Sequence, residues 1–222
     1  MAISYVGGAA FGASSAIAVS ATVTYSPTAG NTVVCYLQTS SSGAAPVTVV
    51  DNNGNALTAG AVQQTGVGNI SRLFYGVAIT GATSYKASWT GIGSVAWLDI
   101  LEYAGVGSVD SAFSGTNSTV STGTTVTWTA RINANNAWLI ACFGDSAATS
   151  WTATNGNLRV NQIAGAPSGQ RTACMDNTAA LAGLVTCSAT KSVNAAWSVV
   201  AIALNPSGVS DIRELMLLGV GI

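Results

Sequence analysis

The 222-residue chain has 7 Lys or Arg, 8 Asp or Glu and no histidine, and its charged share of 7% stands against an apolar share of 49%. Charge at well under the usual level leaves hydroxyls and amides to solvate the surface, and that much apolar content predicts a folded chain rather than a disordered one. A net charge of −1 without a Lys/Arg cluster offers no footprint to nucleic acid or anionic membrane. The missing histidine removes the ordinary Ser and Cys triads and His-ligated metals.

Residues 1–15 read as an N-terminal arm. No basic residue precedes Arg72, so the positive n-region of a secretory signal is absent and mature sequence is expected. From Ala16 to Tyr25, Ile17, Val19, Ala21, Val23 and Tyr25 alternate with small or polar residues, which predicts a strand with one packed face. Asp51-Asn52-Asn53-Gly54-Asn55 predicts a hairpin tip, with a calcium loop as the alternative. Ala96 to Tyr103 is apolar on both faces and predicts a central strand. Its Asp99 and Glu102 point to opposite faces, one expected toward solvent and the other hydrogen-bonded or Arg-paired at a sheet surface. Apolar runs such as 137–143 fall far short of the ~20 residues a membrane helix needs, so no membrane insertion is expected.

A repeat organises these elements. Thr22-Val23-Thr24-Tyr25 recurs as Thr125-Val126-Thr127-Trp128, and the strand after Asn31 recurs after Asn136. Asn53-Gly54-Asn55 recurs as Asn155-Gly156-Asn157, Arg72 as Arg171, Ser88-Trp89-Thr90 as Ser188-Ala189-Thr190, and Ala96-Trp97 as Ala196-Trp197. The order never changes, which argues for duplication. Short Val-, Ile-, Thr- and Trp-rich runs divided by Gly, Asn, Ser and Pro predict an all-β fold. The expectation is a jelly-roll-like antiparallel β-sandwich over 16–208 made of two sequence-related halves, 16–106 and 120–208. Two tandem Ig-like domains are the alternative, and 209–222 forms a C-terminal tail.

Chemistry is sparse. A Ser-Lys dyad would need Lys86 or Lys191, and neither adjoins a nucleophile motif. The carboxylates are scattered, with no pair facing one cleft. No catalytic residue, cofactor or metal is expected, and the chain reads as a non-enzyme. Cys174 and Cys187 flank the loop 177–183 and are expected to face each other across a hairpin. They form either a disulfide or a pair of apolar thiols in the space that Phe74 and Ala87 fill in the first half. Trp89, Trp128 and Trp151 lie near strand ends and are the candidates for a sugar-stacking platform, with core packing as the plainer reading. In the tail, Ile212, Arg213, Leu215, Met216, Leu217, Leu218 and Ile222 make a candidate assembly segment. It either adds a strand to its own sheet or docks onto a neighbouring subunit.

Gly30-Asn31-Thr32-Val33-Val34, Asp51 to Asn55, Arg72-Leu73-Phe74-Tyr75, Leu101 to Val106 and the stretch Trp197 to Pro206 together resemble a family of jelly-roll-like or concanavalin-like β-sandwiches. That family is spread through phage genomes and some bacterial secreted proteins. The resemblance covers about Ala16 to Pro206. It implies a virion structural protein, such as a capsid decoration, cement or fibre component, or else a carbohydrate-binding module for surface adhesion. It also implies a virion-surface or extracellular location. The implied partners are copies of the chain itself, a capsid or tail, and in the second reading glycans. No defined site is carried over.

Overall fold

A computed structural model describes residues 1–14, 20–39, 45–64, 70–90, 95–110, 121–145, 150–161 and 171–208. The candidate tail residues, and Ile17 and Val19, lie outside these. The first half contributes β1 (Ser4–Ser14), β2 (Ser20–Thr24), β3 (Thr32–Thr39), β4 (Pro46–Asp51), β5 (Thr58–Gln64), β6 (Ile70–Val77), β7 (Ser84–Trp89) and β8 (Val95–Ala104). The second contributes β9 (Val106–Asp110), β10 (Ser121–Ile132), β11 (Trp138–Asp145), β12 (Trp151–Asn155), β13 (Asn157–Asn161), β14 (Arg171–Thr178) and the long β15 (Gly183–Pro206). No helix among the described residues is long and apolar enough to cross a membrane.

The fold is all-β and every strand pair is antiparallel. In the first half one sheet runs β1-β8-β3-β6-β5 and a smaller one β2-β7-β4. That alternation of strands between two sheets is jelly-roll connectivity. The second half repeats it. β9 and β11 flank the end of β15, with β14 and β13 beyond β11, while β10 and β12 flank its beginning. A single strand thus does in the second half what β7 and β8 do separately in the first. The residues set apart as an arm include β1, which pairs along β8 from Ser4 to Ser14.

Among the described residues no strand of the first half pairs in a ladder with one of the second, so each half closes its own sandwich. The first has a core of Val23, Val33, Cys35, Leu37, Phe74, Tyr85, Trp89 and Leu98. The second has Val126, Trp128, Leu139, Phe143, Trp151, Met175, Val185 and Trp197. A third apolar layer joins them. Val34, Tyr36, Leu73, Leu101 and Tyr103 of the first half meet Ile140, Cys142, Cys174, Val200, Ile202 and Leu204 of the second. The molecule is therefore a stack of four layers in three sheets, the seven-stranded sheet of the second half folding over on itself along β15, and the two inner layers are covered on both faces. All eight residues of β3 are buried, as are Trp97 to Tyr103 of β8. That is why these strands lack alternation, as expected of Ala96 to Tyr103.

The repeat drifts by one residue in places, and in a strand that inverts the face. Ala96 pairs with Thr39 and packs in the first core, which by alternation aims Trp97 toward the second half. Trp197 instead packs against Phe143 inside the second half's own core. The two Ala-Trp pairs open corresponding strands with opposite faces.

Candidate functional site

The buried charges are the chemically distinctive groups, and each is already engaged. Asp99 and Glu102 do point to opposite faces, but neither meets solvent: both are buried because β8 is covered on each side. Asp99 lies in the layer between the halves, where Cys174 donates to it at 3.7 Å. Glu102 holds the connection between β2 and β3. It accepts from Tyr25 Oη at 2.7 Å, Thr28 N at 2.9 Å and Asn31 Nδ2 at 2.5 Å. Burial pushes the Glu102 carboxyl up, and these donors outweigh it, so the net shift is downward.

Two ion pairs in the second half were not visible in the sequence. Lys191 Nζ sits 2.6 Å from Asp145 Oδ2 with both side chains fully buried, and the same ammonium donates to Ala195 O at 2.5 Å. The Trp151 ring lies 5.8 Å from it. Asp176 accepts from Arg159 Nε at 2.6 Å, from Tyr103 Oη at 3.0 Å and from Asn157 Nδ2 at 3.0 Å, which ties the first half to the second. Arg159 also stacks over Tyr5 at 4.4 Å. Burial works against its charge, but the Asp176 carboxylate holds its pKa above the usual value. The one signal available beforehand was a charge stranded inside an apolar strand of a nearly chargeless protein.

The turn at Asp51 is a hairpin tip. Asp51 Oδ1 accepts from Asn53 N at 2.9 Å and Asn55 N at 2.8 Å, Oδ2 accepts from Asn55 Nδ2 at 3.0 Å, and Gly54 takes φ 86°. Amide donors occupy the oxygens that a calcium loop would turn toward the ion. Among the described residues no group of His, Cys, Asp or Glu is arranged to hold a metal.

The three tryptophans proposed for sugar stacking are buried, Trp89 at 4%, Trp128 at 8% and Trp151 at 3% exposure. An indole so covered has no face to offer a sugar ring. The two cysteines expected to face each other do not. β14 pairs with β11 and β13 rather than forming a hairpin ladder with β15, so Cys174 lies in the middle layer and Cys187 in the second half's core. Phe74 and Ala87 do share a core, and a one-residue drift moves Cys174 to the opposite face. Both thiols are free in the structure.

At one end of the stack the Met1 ammonium donates to Ser207 O at 2.9 Å. A groove there is lined by Ile3, Asn136, Trp138, Thr178 and Pro206. Val77, Leu181 and Leu184 stand 63%, 71% and 73% exposed.

No protein-family profile and no curated protein matches the chain. Among solved structures, the STIV MCP aligns over 94% of this chain and 98% of its own at 6% identity, with a TM-score of 0.23. A turret protein in Sulfolobus turreted icosahedral virus aligns over 92% of this chain and 99% of its own at 13% identity, with a TM-score of 0.20.

Proposed function

We propose that the chain is a structural component of an exterior assembly, the coat, decoration layer or fibre of a virion, and works through protein–protein contacts without catalysis. The supporting observation is the state of its sheet edges. Strands β1, β2, β5 and β12 each lie at an edge and carry no charged residue. Unpaired N–H and C=O groups at such edges template association; register breaks interrupt β1, β5 and β12, while β2 runs without one. Low overall charge removes the long-range repulsion that would oppose close packing of copies. Leu181 and Leu184 add exposed apolar side chains. The partners in this reading are further copies of the chain and the particle they coat.

The test is assembly. Sedimentation of the purified chain over rising concentration, alone and with particles from its natural source, should show self-association or particle binding. Ala10→Lys in β1 and Thr152→Lys in β12 place a charge on exposed edge positions. They should leave the far-UV circular dichroism unchanged and reduce assembly at least tenfold. A chain that stays monomeric throughout and is missing from purified particles would end this reading.

A further inference from the structure

The four cysteines are divided among the layers. Cys35 lies in the first core, Cys187 in the last, and Cys142 and Cys174 share the middle layer. A sheet separates every other pairing. Cys142 on β11 stands directly opposite Cys174 on β14 in the antiparallel register, and both sit in the same apolar layer. Opposed residues in such a ladder have Cα atoms about 4.5 to 5.5 Å apart, within the span that a disulfide bridges. Both side chains leave the same face of one sheet, so their Cβ vectors do not point apart.

We propose that Cys142 and Cys174 are a disulfide-forming pair, a covalent staple across the inner sheet of the second half. The reaction is thiol–disulfide exchange with a small-molecule disulfide of the oxidised glutathione class. One cysteine thiolate attacks a glutathione sulfur and expels the first glutathione thiolate. The partner thiolate then attacks the protein sulfur of the mixed disulfide and expels the second. One S–S bond breaks and one forms, two electrons pass to glutathione, and the two cysteine protons end on the two glutathione thiols. Both sulfurs are fully buried and burial pushes both thiols up, so the exchange belongs to folding or to partial opening of the middle layer, when the thiolates can form. In the closed reduced form Cys174 donates to Asp99, a bond the disulfide gives up.

The test uses the full chain, held with oxidised glutathione at a denaturant concentration just below its unfolding transition, then unfolded without reductant and treated with N-ethylmaleimide. The expected mass shows two maleimide additions, at Cys35 and Cys187, and none at Cys142 or Cys174. Trypsin alone leaves Cys174 and Cys187 on one peptide, so cyanogen bromide cleavage at Met175 is added to separate them. The linked product should join the tryptic fragment 132–159 to the fragment 172–175. Cys187→Ser should still form the bond and Cys174→Ser should not. The oxidised wild-type chain should melt about 5 to 10 °C above the reduced one. Four maleimide or glutathione adducts after this treatment, or a bond that includes Cys187, would overturn the proposal.

Discussion

The two halves share one strand order and fill the same places with different chemistry. At the end of β7, Trp89 stands opposite Pro46 on β4, and the indole closes the first core. At the corresponding place in the second half Lys191 stands opposite Trp151 on β12, so the indole has crossed to the partner strand and the gap is closed by an ammonium on Asp145. At the other end Glu102 gathers Tyr25, Thr28 and Asn31, whereas the second half has Ala203 at the matching register position. There Asn135 Oδ1 accepts from Ala182 N at 2.8 Å, and Asn136 takes a positive φ of 57°. What the two halves keep in common is filled volume and a partner for each buried charge, and residue identity is free to vary under those two demands.

The sharpest way to break this equivalence is at Lys191. Lys191→Met leaves the Asp145 carboxylate buried without its ammonium and should cost about 3 to 5 kcal/mol in urea unfolding. Lys191→Met with Asp145→Leu removes both charges and should recover most of that loss. Trp89→Ala in the first half should cost a similar 3 to 5 kcal/mol or so, by cavity formation rather than by charge, and with no rescue from a polar partner. If the double variant were as unstable as the single one, the pair would be doing something other than filling the core.

A smaller effect is expected at the contact between the halves. A Cβ at Gly144 of β11 would collide with the side-chain amide of Gln38 and the hydroxyl of Tyr36, both on β3. Tyr36 Oη itself lies 2.9 Å from Gln38 Oε1 and from Ser71 Oγ, and Ser71 reaches Ser198 across the layer at 3.3 Å. Gly144→Ala should cost about 1 to 3 kcal/mol by overpacking. It should also broaden the unfolding transition, because the strain falls on the layer that joins the halves. A lower midpoint with unchanged cooperativity would place that coupling elsewhere.

The sequence carried the strand content, the two-sided burial of β8 and the turn at Asp51, because each leaves a local signature of period or turn chemistry. It did not carry the facing of individual side chains. The repeat aligned Trp97 with Trp197 and Cys174 with Phe74, and a drift of one residue was enough to send each pair to opposite faces. Nor did it carry the ion pairs Lys191–Asp145 and Arg159–Asp176, whose partners lie 46 and 17 residues apart and meet only through strand register. The two carboxylates of β8 were correctly placed on opposite faces. The expectation that one would reach solvent failed because it assumed one sandwich, with one wet face, where the molecule stacks two.

The mildest contrast lies in acid. Glu102 and Asp51 are both held below the ordinary carboxylate range: burial raises each, and hydrogen bonds outweigh it, from Asn31, Tyr25 and Thr28 in one case and from Asn55, Asn53 and Gly54 in the other. A folded-state pKa below the unfolded value of about 4.3 or 3.9 means that the unfolded chain binds more protons in that window. The stabilisation is therefore fully present above the unfolded values and drains away as pH falls through the folded ones. With no histidine in the chain, stability should stay nearly flat from about pH 8 to pH 5 and fall below that. Glu102→Gln keeps an acceptor for Tyr25 and loses the charge, so it should cost about 1 kcal/mol at pH 7 and flatten the acid limb. Asp51→Asn should flatten it further. If acid unfolding of the Glu102→Gln, Asp51→Asn double variant followed the same pH curve as the unsubstituted chain, the assignment of acid sensitivity to these two residues would be wrong.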